Sequence, residues 1–299
     1  MDLQTLREQH ALPGHLDIID GPGEMPVISI RTDKAMAKIA LHGAHVFHYQ
    51  PHNSQQVLWL SNSAVYQHGK ALRGGIPVCW PWFSDQLPKP GLPAHGFVRN
   101  RLWDIESTAL LDSGEVQLRL FIKDDEDSHE LWPHAFEARL IVTLGTTLKV
   151  ALHLTNTDEQ AWESTGALHS YFQVGDIGQC RVEGLDGRDF LDKNSGFERR
   201  RQEGDIDIAQ EIDRVYVDTG DTCIIDDADL KRRIKIAKRG SLTTVVWNPW
   251  QEKAVAMADF DDDGYRQMLC VETACASGDW IRLSPGESHT IETHISVDA

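Results

Sequence analysis

Two short segments hold the residues best suited to moving protons, Ala167-Leu168-His169-Ser170-Tyr171-Phe172 and, far along the chain, Val271-Glu272-Thr273-Ala274. Each sets one ionisable side chain among apolar, strand-forming neighbours. An imidazole titrates near neutrality and a carboxylate accepts protons, so the two make a donor and an acceptor that need neither a metal nor a nucleophile. Taken alone, His169 reads first as a satisfied core histidine. Glu272 is harder to dismiss, because a carboxylate in an apolar strand is costly unless it has a partner or faces a cleft.

Two loop-like segments add cations and a second histidine. Leu72-Arg73-Gly74-Gly75-Ile76-Pro77 puts an arginine before two glycines whose backbone can approach a ligand closely, and a guanidinium grips phosphate or carboxylate through paired hydrogen bonds. Ala94-His95-Gly96-Phe97-Val98-Arg99 offers His95 as a loop histidine, either a substrate hydrogen-bonder or simply exposed, and Arg99 as a second cation, with Arg101 as its substitute two residues on. A surface ion pair is the competing reading of each arginine, since the chain has 46 acidic residues. Tryptophans in Val78-Cys79-Trp80-Pro81-Trp82-Phe83 and Val246-Trp247-Asn248-Pro249-Trp250 suit apolar sugar faces, although core packing is their commoner use.

Other patterns fail on spacing. His42, His45, His48 and His52 would not converge on a metal from a strand, and Gly43 and Pro51 disfavour a helix. Asp259-Phe260-Asp261-Asp262-Asp263-Gly264 opens like a calcium loop, but position twelve is Cys270 where a bidentate Glu is needed. No G-x-S-x-G elbow supports Ser170 as a nucleophile.

The ordered motifs R-G-G-I-P-V-C-W-P-W-F, P-A-H-G-F-V-R-N, A-L-H-S-Y-F-Q-V-G-D-I, D-R-V-Y and V-E-T-A resemble those of the hexose-6-phosphate 1-epimerases within the aldose 1-epimerase (mutarotase) superfamily. The likeness runs from about residue 38 to 297. It implies a large antiparallel β-sandwich with its site on a concave face, His169 as general acid, Glu272 as general base, and Arg73 and Arg99 on the substrate phosphate. His95 and Asp213 would hold the sugar. It implies interconversion of the α and β anomers of an aldohexose 6-phosphate, with no cofactor and no metal. Two other readings stay open: an epimerase of unphosphorylated aldoses, which would share His169 and Glu272, and a non-catalytic sugar-binding or sensor protein, which would not need both. The motifs carry nothing over to residues 183–211.

The elements expected to position these groups are mostly strands. Runs at 27–32, 57–61, 115–123, 136–157, 242–247 and 290–297 are β-rich and separated by Gly, Asn, Asp and Pro. Helix is expected at 3–10 and as a short turn at 128–134, and the acidic cluster Asp124-Asp125-Glu126-Asp127 is expected to be a solvated loop. Many strands with little helix predict an all-β antiparallel sandwich, and 299 residues without a linker predict one domain over 1–299.

A net charge of −17 disfavours nucleic acid and anionic membrane as partners. The first residues, Met1 to Arg7, show no apolar signal region, so a cytoplasmic protein is expected. Five cysteines without a C-x-x-C pair predict buried reduced thiols. The oligomeric state is left open, a monomer being compatible with the sequence.

Overall fold

The computed structural model describes residues 2–84 and 87–298. Its two large sheets are antiparallel throughout. The nine-stranded sheet runs, edge to edge, through Ile206–Asp207, Cys180–Glu183, Cys223–Asp227, Arg232–Arg239, Ser288–Asp298, Leu148–Asn156, Phe136–Leu144, Val116–Lys123 and Asp104–Leu110. The eight-stranded sheet has Ile212–Tyr216, Thr243–Asn248 and Met268–Cys275 at its centre, with Gly166–Leu168 and Tyr171–Gln173 both pairing with the last of these. Four N-terminal strands between Leu16 and Pro51 form a smaller meander.

Alternation along Met268–Cys275 explains how a sandwich presents a carboxylate. Successive side chains in a strand point to opposite faces. Leu269 and Val271 belong to the main core with Ile291 and Ile295 of the facing sheet, while Met268, Cys270 and Ala274 pack on the other face with Tyr171 and Trp247. Glu272 shares that second face. All eight residues are buried, so the strand reads as an almost continuous apolar run with one carboxylate in it.

The strand expectations hold in five of the six regions. Residues 136–157 form the hairpin Phe136–Leu144 and Leu148–Asn156, broken at Gly145. The run at 57–61 is different: Leu58 and Leu60 make isolated bridges to Phe172 and Gly74, and no strand forms. It still lies beside the strand Tyr171–Gln173, Trp59 N–H donating to the Tyr171 carbonyl at 3.0 Å and the Val57 carbonyl accepting from Gln173 N–H at 2.8 Å, but the pairing does not extend far enough to make a strand of it. Leu3–His10 is helical, capped by Asp2, whose side chain accepts from the Thr5 N–H at 3.0 Å.

The acidic cluster is more than a solvated loop. Asp125 caps the helix Glu126–Leu131 reciprocally with Ser128, which moves that helix toward the cluster from its expected place at 128–134. Asp125 also pairs with Arg101. Arg101 is therefore committed to this cap and does not stand in for Arg99. The five cysteines are buried and free.

Candidate active site

The Arg73-Gly74-Gly75 turn can be built only with glycine. Gly74 and Gly75 have φ of 116° and 62°, and a Cβ on either would lie 2.5 or 2.4 Å from a backbone oxygen, that of Trp59 or Val46. His45 fixes the turn by bonding the Gly74 carbonyl through Nε2 at 2.7 Å. His42 Nε2 similarly bonds the Lys70 carbonyl at 2.9 Å, so these two histidines brace the arginine loop. At the second loop, His95 and Gly96 both have positive φ, and a Cβ on Gly96 would meet the Trp80 oxygen at 1.9 Å.

His169 sits in the break between the strands Gly166–Leu168 and Tyr171–Gln173, and not within a strand as its neighbours imply. That break turns its ring toward the neighbouring strand. His169 Nδ1 lies 3.5 Å from Glu272 Oε1. Tyr171 stacks on the imidazole with centroids 4.7 Å apart and planes 8° from parallel, and Trp247 meets it edge-on at 6.2 Å. His95 approaches from the side at 5.5 Å between centroids. The two residues singled out first are thus brought together, among aromatics, at the floor of a cavity of about 240 Å³.

Asp213, His95 and Arg73 also line this cavity, together with Lys193 and Lys253. Lys193 Nζ donates to Ser84 Oγ at 2.8 Å and stands 3.5 Å from Asp213 Oδ2, while Lys253 pairs with Glu211 at 2.8 Å. Lys193 comes from the 183–211 segment, where no motif pointed to it. Charge alone gave no signal there, because the segment mixes basic and acidic residues throughout.

Arg99 lies elsewhere. It lines a second cavity, of about 430 Å³, with Lys70, Asn100 and Asp259, and Arg73 and Tyr171 border both cavities. Arg73 holds this boundary through three contacts: its Nε donates to both Asp259 oxygens at 3.2 Å, and its NH1 donates to Tyr171 OH at 3.2 Å. The Asp-rich turn that opens like a calcium loop therefore supplies Arg73's carboxylate, and Asp261 ties it to Asn62 and Ser63. Arg99 NH2 donates to the Ala94 carbonyl at 3.0 Å, and its buried Nε has no partner among the described residues. Lys70 is a further cation at this cavity that the motifs did not mark.

Burial sets the proton balance at the floor. It pulls the His169 imidazole well below its ordinary value, helped by the charges of His95, Arg99 and Arg73. It pushes the Glu272 carboxyl well above the carboxylate range, with Asp213 adding to the rise. Asp213 is itself raised by burial, against the opposing charges of Lys193 and Lys253. A neutral imidazole beside a neutral carboxyl is the favoured pair, and it holds one proton, as does the alternative charged pair.

The model of the family "Aldose 1-epimerase" matches residues 26–296. The chain belongs to the aldose 1-epimerase family. Among curated relatives, a protein of Escherichia coli named "Putative glucose-6-phosphate 1-epimerase" is 38% identical over 255 residues, 85% of this chain and 84% of that protein. A Haemophilus influenzae protein of the same name is 32% identical, with 91% of each chain covered. The crystal structure of a Salmonella typhimurium protein described as a "putative mutarotase" superposes with a TM-score of 0.89 at 33% identity, covering 97% of this chain and 95% of that one. The antiparallel sandwich is accordingly that of the mutarotases.

Proposed function

We propose that this aldose 1-epimerase acts on aldohexose 6-phosphates, glucose 6-phosphate foremost, and that His169 and Glu272 supply the acid and the base. The observation carrying the phosphate preference is a pair of neighbouring cavities that share Arg73 and Tyr171 in their walls. The catalytic pair lies in one, the cations Arg99 and Lys70 line the other, and Arg73 stands at the junction. A sugar ring over His169 and Glu272 with its phosphate directed past Arg73 uses both. The relatives named for glucose 6-phosphate support the same reading. We further propose that residues 1–299 act as one domain and work in the cytoplasm; no helix among the described residues is long and apolar enough to cross a membrane.

In the reaction the charged form of the pair acts: the Glu272 carboxylate takes the proton of the anomeric hydroxyl while the His169 imidazolium protonates the ring oxygen, and the ring opens. The aldehyde turns about its bond to the next carbon, and the reverse transfers close the ring on the other face. Opening leaves Glu272 protonated and His169 neutral, the pair that burial favours, so the buried floor of the cavity stabilises the enzyme form that accompanies the open chain. His95 and Asp213 hold the sugar hydroxyls beside this pair. Positioned acid and base groups typically give about 10²–10⁴-fold.

The test is polarimetry or anomeric proton NMR on freshly dissolved α-glucose 6-phosphate beside α-glucose, each corrected for spontaneous mutarotation. The phosphate ester is expected to equilibrate faster at equal enzyme. Equal rates would favour an epimerase of free aldoses, and no acceleration of either sugar would favour a non-catalytic sugar-binding protein.

The single shared proton also sets the pH response. Activity falls in acid only when His169 is protonated beside an already protonated Glu272, and burial delays that step to well below pH 6.5. It falls in base when the pair loses its proton, a loss that burial delays to well above pH 4.5. A kcat profile whose acid limb lies below pH 6.5 is the expected result, measured at saturating substrate so that phosphate ionisation near pH ~6 does not enter through binding.

A further inference from the structure

We propose that His169, Cys270 and Glu272 form a three-ligand site for a zinc-like divalent cation, and that its occupancy shuts the catalytic pair off. The inhibition rests on the acid and base roles just assigned; the binding rests on geometry alone. Cys270 and Glu272 are two residues apart on one strand and so share a face, and Tyr171, two residues beyond His169, is the register partner of Cys270. One ligand atom from each of the three residues lies within 4.8 Å of the others. His169 Nδ1 and Glu272 Oε1, 3.5 Å apart, already have nearly the separation that two ligands at ~2.0–2.1 Å from a tetrahedral ion require.

The imidazole and the carboxylate each have an atom with no hydrogen-bond partner among the described residues. His169 Nδ1 and Glu272 Oε2 are buried without a hydrogen bond, and the 3.5 Å contact between the two side chains is not aligned as one. Thiolate, carboxylate and a dication sum to zero charge with a neutral imidazole as third ligand, which suits a floor hostile to isolated charge. Sulfur selects zinc, cadmium or cobalt over magnesium and calcium. Three protein ligands leave a fourth position, toward the cavity that His169 and Glu272 line, for water or a sugar hydroxyl. The cation would occupy the imidazole lone pair and the carboxylate, the two groups that must exchange protons with the substrate.

Metal-free full-length protein is titrated with Co²⁺ while its absorption spectrum is recorded, and separately with Zn²⁺ while anomerisation is followed. The expected results are a thiolate-to-cobalt charge-transfer band in the near ultraviolet with intense tetrahedral bands in the visible, and at least a tenfold loss of activity with Zn²⁺ that a chelator reverses. Mg²⁺ and Ca²⁺ should do neither. Cys270→Ala should lose the charge-transfer band and need at least ten times more Zn²⁺ for half inhibition, with its metal-free turnover retained. Absence of the band from the unmodified protein, or its persistence in Cys270→Ala, would overturn the site. Unchanged Zn²⁺ sensitivity in the variant would overturn the inhibition mechanism. Should Cys270→Ala fail to fold, the spectrum of the unmodified protein decides, and because the band needs no turnover it is informative even if the epimerase reading fails.

Discussion

His169→Asn and Glu272→Gln are each expected to lower the anomerisation of glucose 6-phosphate by at least about a hundredfold in kcat, near 3 kcal/mol at ~1.4 kcal/mol per tenfold. Glu272→Gln keeps size and shape, His169→Asn gives up the ring stacked on Tyr171, and neither removes a side-chain hydrogen bond seen among the described residues. Glu272→Gln carries a second, opposite expectation. Burial raises this carboxyl in the folded chain, so above about pH 4.5 the unfolded chain has released a proton that the folded chain keeps. Stability from this group is therefore greatest below the unfolded value and declines as pH rises toward the folded one. An amide does not titrate, so Glu272→Gln should melt higher than the unmodified protein, by a margin that widens from pH 4.5 upward. Polarimetry and a pH series of melting curves check the two halves. A folded variant with near-normal turnover would remove Glu272 or His169 from the mechanism.

Arg73→Ala should weaken turnover of glucose 6-phosphate by about tenfold to a hundredfold in kcat/KM while leaving residual turnover of free glucose nearly unchanged. The chain's net charge of −17 repels a dianion at long range, so binding depends on short charge-assisted hydrogen bonds, each worth roughly 1.5–3 kcal/mol. The phosphate is remote from the anomeric carbon, so the loss belongs mostly to KM, with kcat falling as well if the anchored phosphate helps to orient the ring. Arg73 also braces Tyr171, whose ring lies against His169, and a structural effect must be separated from a binding one. Tyr171→Phe does this: it deletes the hydroxyl but keeps the stacked ring and the guanidinium. If Arg73→Ala depresses both substrates alike and Tyr171→Phe copies it, the arginine is a brace, and the epimerase of free aldoses becomes the better reading.

The positions of the sequence motifs and the cavity agree closely at His169, Glu272, His95, Asp213 and Arg73, because each lies in a segment whose backbone is constrained by a tight turn or a buried strand. Strand identity was legible wherever alternation or β-branched runs extended over several residues, as at Ser288–Asp298. It was misleading at 57–61, where pairing with Tyr171–Gln173 and with the Gly74 turn is confined to isolated bridges. Long-range pairing was not legible at all. Nothing local marks Asp259 as the carboxylate of Arg73, Asp125 as that of Arg101, or Lys193 as a wall of the cavity, since each relation joins segments remote in sequence. The break in pairing at His169 was also hidden, because the residues on both sides of it favour strands.

The two lysines of the catalytic cavity have a consequence for what the enzyme must survive. Ring opening releases an aldehyde, and a free amine beside an aldehyde condenses to an imine, which in a sugar can rearrange irreversibly. Lys193 stands against Asp213 and Lys253 against Glu211. A carboxylate held at each amine stands in the way of its approach to a carbonyl. We expect these ion pairs to guard the protein against glycation by an open-chain aldehyde, which intact-mass measurement after prolonged turnover checks.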